Sequence, residues 1–339
     1  MKRILPLLLA LVLLCAVPAS AATTGGDALP AAVQAVRTAT PAPQFGSIGG
    51  EWAVLALARS GADVPASVWD AYRADLSAYL AAHDGVLHAK KYTDYSRVVL
   101  ALTALGEDPA DFGGWDLLAP LSDVDKVCWQ GVNGPIWALI ALDAGGYDSA
   151  ARETYLAKIL AAQRPDGGWS LSGASDPDLT AMALQALAGY RDRTDVGDAA
   201  ARGLACLSAL QDARGGFSSG GTANAESCAQ VLIALAALGI APDDARFVKD
   251  GHSALDRLLT FQRPDGGFRH TDGGTGDDRM AAEQALLALV ALDRAADGRS
   301  GLYQMDDVAR SDDRPSPIVL DPAQRWALLG VLIGTARIF

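Results

Sequence analysis

The chain has 339 residues and a formal net charge of −12 at pH 7. This acidity argues against nucleic acids and anionic membranes as partners. Half of the residues are hydrophobic, so a chain of this length can bury one large core. No segment beyond the N-terminal region reaches the ~18 apolar residues of a membrane span, and we expect no membrane-spanning helix.

The first 21 residues have the pattern of a cleavable signal peptide. Lys2 and Arg3 precede an apolar run over 4–17, and Ala-Ser-Ala at 19–21 fits an A-x-A cleavage site. We therefore expect a secreted, extracellular or cell-surface protein. Residues 22–44 are expected to form an N-terminal helix and a linker.

Six apolar helical runs recur along the chain, and each contains an Ala-Leu pair. Because these runs are apolar almost all round, they are typical of helices that are buried on most sides. Amphipathic segments lie between them, each with an apolar stripe and a charged face. The Ala-Leu pairs begin at Ala56, Ala101, Ala141, Ala186, Ala234 and Ala288. The clearest amphipathic segments are 65–82, 149–162, 196–210 and 247–261.

Three amphipathic segments are each followed by a nearly identical heptapeptide. The heptapeptides lie at 163–169, 211–217 and 262–268. The first reads Gln-Arg-Pro-Asp-Gly-Gly-Trp and has the features of a helix stop. Pro165 cannot continue a helix, and the Gly167-Gly168 pair can adopt the positive φ angles of a tight reversal. The first residues of the heptapeptides lie 48 and 51 positions apart, and a period in this range indicates a repeat architecture.

The economical arrangement of these elements is an all-α, closed (α/α)6 toroid. Six buried helices form an inner barrel, and about six amphipathic helices wrap it. We expect the toroid over residues 45–296, followed by a loop over 297–321 and a last packing helix over 322–339. No segment shows convincing strand alternation.

The topology of such a toroid predicts where a ligand site lies. All inner helices run in the same direction, so their N-terminal ends meet at one mouth of the barrel. Polar and aromatic residues near these ends surround an apolar cavity, as expected of a ligand pocket. The expected ligand-binding residues are Trp52, Tyr95, Trp129, Gln130, Asn133, Asp178, Thr180, Glu226, His270, Glu283 and Gln284. Capping is the alternative explanation for Asp176, which precedes Pro177 at a helix start, and core packing is the alternative for the tryptophans.

The Q-x-x-D-G-G-W/F repeats resemble those of the terpenoid cyclase and protein prenyltransferase superfamily, whose members share an (α/α)6 toroid. The resemblance covers roughly residues 27–310. It is specific for the fold and much less so for the function. A narrower resemblance links the chain to secreted bacterial proteins with prenyltransferase and squalene-cyclase repeats, related to transcobalamin-like carriers. It rests on the stretches 129–139, 176–187, 226–230 and 268–272.

The resemblance, together with export, favours a non-catalytic binder of a hydrophobic or cofactor-like small molecule. Cobalamin carriers of this superfamily hold their ligand against the inner-helix mouth, so the resemblance implies a corrinoid as the best single ligand. A glycan or a lipid fits nearly as well. Those carriers use a second β domain as a lid, and this chain has no room for one. A lid domain on a partner chain is therefore a further expectation.

A class II terpene cyclase is the alternative function. That family carries a D-x-D-D-T-A motif, and residues 176–181 read Asp-Pro-Asp-Leu-Thr-Ala. The resemblance places Asp178 at the position of the general acid, with Asp176 beside it, but Leu179 replaces the third carboxyl. Aromatic residues make up only 6% of the chain, whereas a carbocation is stabilised by aromatic faces.

Two other enzyme classes stay open. Zinc-dependent prenyl transfer is the weaker expectation, and its nearest match to the family's Asp, Cys and His ligands is Glu226, Cys228 and His270. Glycan hydrolysis or lysis requires an acid–base pair, which Asp178, Glu226 and Glu283 can furnish. No cofactor is therefore firmly expected.

Three cysteines, Cys128, Cys206 and Cys228, remain after removal of the signal peptide. An odd number rules out a complete disulfide framework. Free cysteine is among the most buried residue types, so we expect buried thiols.

Overall fold

The computed structural model describes residues 25–276 and 278–310, with only the backbone described for 25–27. The expected signal peptide, the second part of the expected loop and the expected final helix lie outside the described residues.

In the described residues, helices alternate between an inner and an outer layer. The inner helices are α2 (Trp52–Arg59), α4 (Thr93–Ala104), α6 (Asn133–Ala144), α8 (Pro177–Leu187), α10 (Ala225–Ala237) and α12 (Arg279–Ala296). The others are α1 (Gly25–Ala39), α3 (Ala66–Ala82), α5 (Val124–Val127), α7 (Arg152–Ala161), α9 (Thr194–Leu210) and α11 (Ala254–Thr260).

The inner helices form a closed ring. Each packs against the next in the order α2, α4, α6, α8, α10 and α12, and α12 packs back against α2. The all-α toroid predicted from the sequence is thereby confirmed. The helical runs that are apolar all round are buried, as expected. In α10, for example, residues 228–235 are all buried. No described helix has the length and apolar character needed to cross a membrane.

Two small hairpins lie between helices and were not predicted. Strand β1 (Ser218–Ser219) pairs antiparallel with β2 (Thr222–Ala223), and β3 (Val248–Lys249) pairs antiparallel with β4 (His252–Ser253). Each strand has two residues, which is too short for an alternating pattern to be recognised in the sequence.

The heptapeptide turns hold neighbouring repeats together. Gly167 has a φ of +90°, and a Cβ there would approach the backbone oxygen of Arg202 in α9 to 2.5 Å. Trp169 is fully buried, and its indole Nε1 donates to the backbone oxygen of Ile159 at 2.7 Å. The repeat therefore needs glycine because the turn lies against the backbone of the next outer helix.

The first glutamine of each heptapeptide donates a side-chain hydrogen bond to the backbone of another segment of the outer layer. Gln163 donates to the backbone oxygen of Ala199 at 2.8 Å, and Gln211 donates to that of Phe247 at 2.9 Å. Gln262 donates to the backbone oxygen of Ala28 in α1 at 3.2 Å. This last bond links the final repeat to the first described helix, so the outer layer is tied across the chain ends as well.

A segment after α12, residues 299–310, crosses the C-terminal ends of the inner helices, and we call it the strap. Arg59, at the end of α2, is 2% exposed and donates to the backbone oxygens of Gly301 and Gln304, both at 2.8 Å. The backbone N–H of Met305 donates to the oxygen of Ala144 at the end of α6. The strap thus joins α2 to α6 across the mouth opposite the expected ligand site.

Candidate ligand site at the N-terminal mouth

Asp178 lies in the first turn of α8, at the mouth where the inner helices begin. Burial raises the pKa of its carboxyl to about 6, and the negative charges of Asp176 and Glu226 act in the same direction. The hydroxyl of Ser227 opposes the shift, and its Oγ atom is buried without a hydrogen-bond partner among the described residues. The Oδ1 atom of Asp178 is buried and has no hydrogen-bond partner among the described residues. A half-buried acid with a free oxygen and a pKa near neutrality is typical of a functional site.

Two neighbours of Asp178 hold the local structure. Asp176 caps α8, because its side chain accepts from the backbone N–H of Leu179 at 2.9 Å and from the Ser219 hydroxyl at 2.6 Å. Thr180 is fully buried, and its hydroxyl accepts from the backbone N–H of Trp169 at 2.9 Å. The structure thus gives Asp176 the capping role and engages Thr180, which we expected to bind a ligand, in fixing the heptapeptide turn.

Glu226, His270 and Asp278 come together beside Asp178. The Nδ1 atom of His270 lies 2.8 Å from a carboxylate oxygen of Glu226, and one ligand-type atom from each of the three residues lies within 4.8 Å of the others. Burial raises the pKa of Glu226, and the hydrogen bond to His270 opposes this.

Cys228 is not part of this group, contrary to the expected zinc ligands. It is fully buried, and burial raises the pKa of its thiol to about 12. In the described residues Asp278 takes the third place beside Glu226 and His270, which corrects the prediction.

Glu283 and Glu51 form a second acidic pair, where α12 meets α2. Glu283 is 2% exposed and accepts from the backbone N–H of Gly49 at 2.8 Å. Glu51 is fully buried and accepts from the Tyr72 hydroxyl at 3.2 Å and from Arg97 at 3.3 Å. Burial raises the pKa of each carboxyl to about 7.

Aromatic rings extend from the N-terminal mouth into the barrel. The rings of Trp52 and Trp137 lie 5.1 Å apart, and Trp137 meets the Tyr303 ring edge-on at 6.0 Å. Trp129 is 64% exposed, and the ammonium of Lys90 lies 5.3 Å from its ring centre. Trp52 is thus the expected tryptophan that bridges the mouth and the interior.

Three other residues that we expected to bind a ligand differ in whether their side chains are free to do so. Tyr95 is buried, and its hydroxyl accepts from the backbone N–H of Leu87. Gln130 accepts from the backbone N–H and hydroxyl of Thr93 at the start of α4. Asn133 is half-buried at the first position of α6. The geometry therefore leaves Asn133 available at the mouth, whereas Tyr95 already has a structural contact.

A chain of glutamines connects three inner helices, and only its last member was expected. Gln185 donates to the Gln230 side-chain oxygen at 3.0 Å, and Gln230 donates to Gln284 at 2.6 Å. All three are buried. The available signal was a glutamine inside each of three apolar runs, since buried polar side chains require partners.

A closed double ring of helices with repeated glycine turns defines an α/α toroid protein. Residues 130–219 and 183–301 match the prenyltransferase alpha-alpha toroid domain. These matches together cover more than half of the chain, and the chain belongs to this family. No curated protein sequence matches it.

Solved structures show the same fold at low sequence identity. The type II terpene cyclase MstE from Scytonema is 16% identical, with a TM-score of 0.52 over 80% of this chain and 99% of the cyclase. The unsaturated glucuronyl hydrolase from Bacillus sp. GL1 is 14% identical, with a TM-score of 0.52 over 84% of this chain and 98% of the hydrolase. At these identities the likeness extends to the fold alone.

Proposed function

We propose that the N-terminal mouth binds an uncharged small molecule with an apolar body, and that protonated Asp178 donates a hydrogen bond to it. The observation that carries this proposal is the buried Oδ1 atom of Asp178, which has no partner among the described residues. A protonated carboxyl supplies one O–H donor. Leaving a buried polar atom unpaired costs about 1–3 kcal/mol, and a ligand acceptor removes that cost.

The charges around Asp178 favour a ligand without negative charge. Asp176 and Glu226 raise its pKa through their own negative charge, and Asp278 acts on Glu226 in the same way. A diphosphate or carboxylate entering this mouth meets the same repulsion. Trp52, half-buried and with its ring tilted against that of Trp137, supplies the apolar surface for the body of the ligand.

The expected export of the chain and its relation to transcobalamin-like carriers belong to this proposal. A binder at the cell surface is consistent with the signal-peptide pattern of residues 1–21. A corrinoid gains no support from the comparisons, and the mouth has no feature that selects one. We therefore define the ligand by its chemistry, and a lid on a partner chain stays part of the proposal.

Acid catalysis is the second candidate function, and the pKa of Asp178 favours it. A general acid works best when its pKa is close to the working pH, and a value of about 6 meets this condition. The carboxyl motif of a class II terpene cyclase is incomplete here. Leu179 occupies the third carboxyl position, and Asp176 caps α8. An oxygen atom of a substrate is therefore a better proton acceptor for this site than an alkene.

Binding of farnesol, an uncharged isoprenoid alcohol, tests both functions. We expect calorimetric affinity to be higher at about pH 5 than at about pH 8, because Asp178 loses its proton between these values. Asp178→Ala is expected to weaken binding about tenfold at the lower pH, whereas Asp178→Asn, which keeps an N–H donor, makes binding insensitive to pH. Asp148→Asn, at an exposed position in the loop after α6, is the matched control.

The outcomes separate the two functions. Equal affinity of the wild type at both pH values contradicts the role of Asp178. Mass spectrometry of the incubated farnesol then distinguishes binding from catalysis. An isomerised product that disappears in Asp178→Asn supports acid catalysis, and unchanged farnesol supports a binding protein.

A further inference from the structure

We propose that the opposite mouth of the barrel is a second ligand site, in which Gln185 and Tyr303 bind the hydroxyl group of an uncharged, largely apolar molecule. The site lies between the strap and the C-terminal ends of α6, α8, α10 and α12. It is separate from the N-terminal mouth and does not depend on the function proposed there.

A cavity of about 480 Å³ occupies this position. Pockets for drug-sized ligands have volumes of about 300–1,000 Å³. Small residues on the inner helices, including Ala186, Ala237 and Ala291, leave the space open, and Ile140 and Ile233 give it apolar walls. The cavity therefore has the size of a ligand pocket and apolar walls on α6 and α10, with charged residues at its rim.

Gln185 carries a buried, unpaired hydrogen-bond acceptor beside this cavity. It lines the cavity and is 7% exposed, and its Nε2 donates to the backbone oxygen of Gln230 at 2.9 Å. A backbone oxygen can only accept, so the amide nitrogen of Gln185 must face α10. This leaves Oε1 buried and without a partner among the described residues. A ligand that donates a hydrogen bond satisfies it.

Tyr303 adds a second unpaired polar atom to the same cavity. Its ring stands edge-on to Trp137, and its hydroxyl is buried with no partner in the described part of the chain. Burial raises the pKa of this hydroxyl, so it stays a neutral O–H group. A ligand hydroxyl is complementary to both groups, because it can donate to an amide oxygen and accept from a phenol, and these two groups define the expected chemistry.

The glutamine chain and the strap hold the two polar groups in place. Gln230 is itself fixed by Gln284 at 2.6 Å, so the acceptor on Gln185 has a defined direction. Arg59 binds the strap backbone on both sides of Tyr303, at Leu302 and Gln304. A site that is already ordered loses less conformational entropy when a ligand binds.

The rim of the cavity favours a ligand without charge. Asp143 pairs with Arg152 at 2.7 Å, and Arg299 pairs with Asp293. Arg191 and Asp192 also line the cavity, so the rim carries two acidic and two basic side chains and has no net charge that selects a charged ligand. The unpaired buried atoms of the lining residues are the amide oxygen of Gln185 and the phenol of Tyr303, both neutral, and the Nε atom of Arg299.

Two rigid probes of nearly equal size, 1-adamantanol and 2-adamantanone, test the proposal. The alcohol can donate to Gln185, whereas the ketone can only accept. We expect NMR titration of the full chain to show tighter binding of the alcohol, with shifts at the side-chain amide of Gln185, which lines the cavity. Removing the phenol in Tyr303→Phe is expected to weaken binding of the alcohol about fivefold to tenfold.

Two further variants locate the probe. Ala237→Trp fills a half-buried edge of the cavity and is expected to abolish binding of both probes, while Glu153→Gln, on the exposed face of α7, leaves binding unchanged. Tyr303→Phe is a mild change, because the hydroxyl has no partner in the described residues and its loss leaves nothing in them unpaired. The proposal is overturned if the alcohol does not bind saturably, if alcohol and ketone bind equally, or if Ala237→Trp leaves binding intact.

Discussion

Glu283 accepts a hydrogen bond at 2.8 Å from the backbone N–H of Gly49, and the two residues are separated by 234 positions in the chain. This contact lies where α12 returns to α2 and the inner ring closes. Glu51, two residues after Gly49, is fully buried at the same place, and its negative charge raises the pKa of Glu283 further. The seam of the ring therefore holds two acids whose charged forms are disfavoured.

The first prediction is that the free energy of unfolding falls as pH rises through about 7. Glu51 and Glu283 have folded-state pKa values of about 7, above the ordinary value of 4.5. The folded state binds more protons at these two groups between these values, so their contribution to stability is complete below about 4.5 and is lost as pH rises through about 7. Urea unfolding measured across this range tests the direction.

A matched pair of variants assigns this pH dependence to the seam. Glu283→Gln keeps an acceptor for Gly49 but cannot ionise, so we expect a smaller loss of stability between pH values of about 5 and 8. Glu153→Gln, on the exposed face of α7, is expected to behave like the wild type. An unchanged slope in Glu283→Gln contradicts the assignment.

The second prediction concerns the glycine turn of the first heptapeptide. Gly167→Ala places a Cβ about 2.5 Å from the backbone oxygen of Arg202, whereas Gly173→Ala meets open space. Both glycines have positive φ, so both variants share the conformational cost. We expect Gly167→Ala to lose about 1–3 kcal/mol more unfolding free energy than Gly173→Ala, because only it forces a backbone shift. Equal losses contradict the close approach of the turn to α9.

The third prediction is that Arg59 fixes the strap. Arg59→Met removes the charged donor for the strap backbone and the ion pair with Asp307 at 2.7 Å. Hydrogen bonds to charged groups are worth about 1.5–3 kcal/mol each, so we expect destabilisation of at least this size. Faster hydrogen exchange at the Met305 amide, with no change in Arg73→Met, is the specific measurement.

The fourth prediction concerns thiol chemistry. Cys128 is half-buried, while Cys206 and Cys228 are buried, and all three are free in the structure. Burial raises the pKa of each thiol. We expect a thiol reagent to modify Cys128 slowly in the native protein and Cys228 only after unfolding. Rapid native modification of Cys228 contradicts its burial.

The sequence predicted the ring because the relevant signals are local. An apolar run such as 228–235 indicates a helix with no exposed face, and the heptapeptides mark where each outer helix ends. The direction of the inner helices then placed Asp178 and Glu226 at one mouth. These inferences need only the order and the pattern of the residues.

The roles of individual side chains at the mouth were harder to predict. Tyr95 and Thr180 lie near the expected positions, yet each is bonded to the backbone of an adjoining segment. A difference of one residue along a helix turns a side chain by about 100°, from the lumen toward its neighbours. The position of the strap could not be predicted from the sequence either, because Arg59 bonds to a residue more than 240 positions later in the chain.

The bond from Gln262 to Ala28 gives this repeat protein a property that an open array lacks. In a linear solenoid the terminal units have one neighbour each and fray first. Here the last heptapeptide is fastened to the first described helix, so no unit within the ring occupies an end. Unfolding of any one repeat therefore removes contacts from two neighbouring repeats, and we expect the toroid to unfold in one cooperative transition.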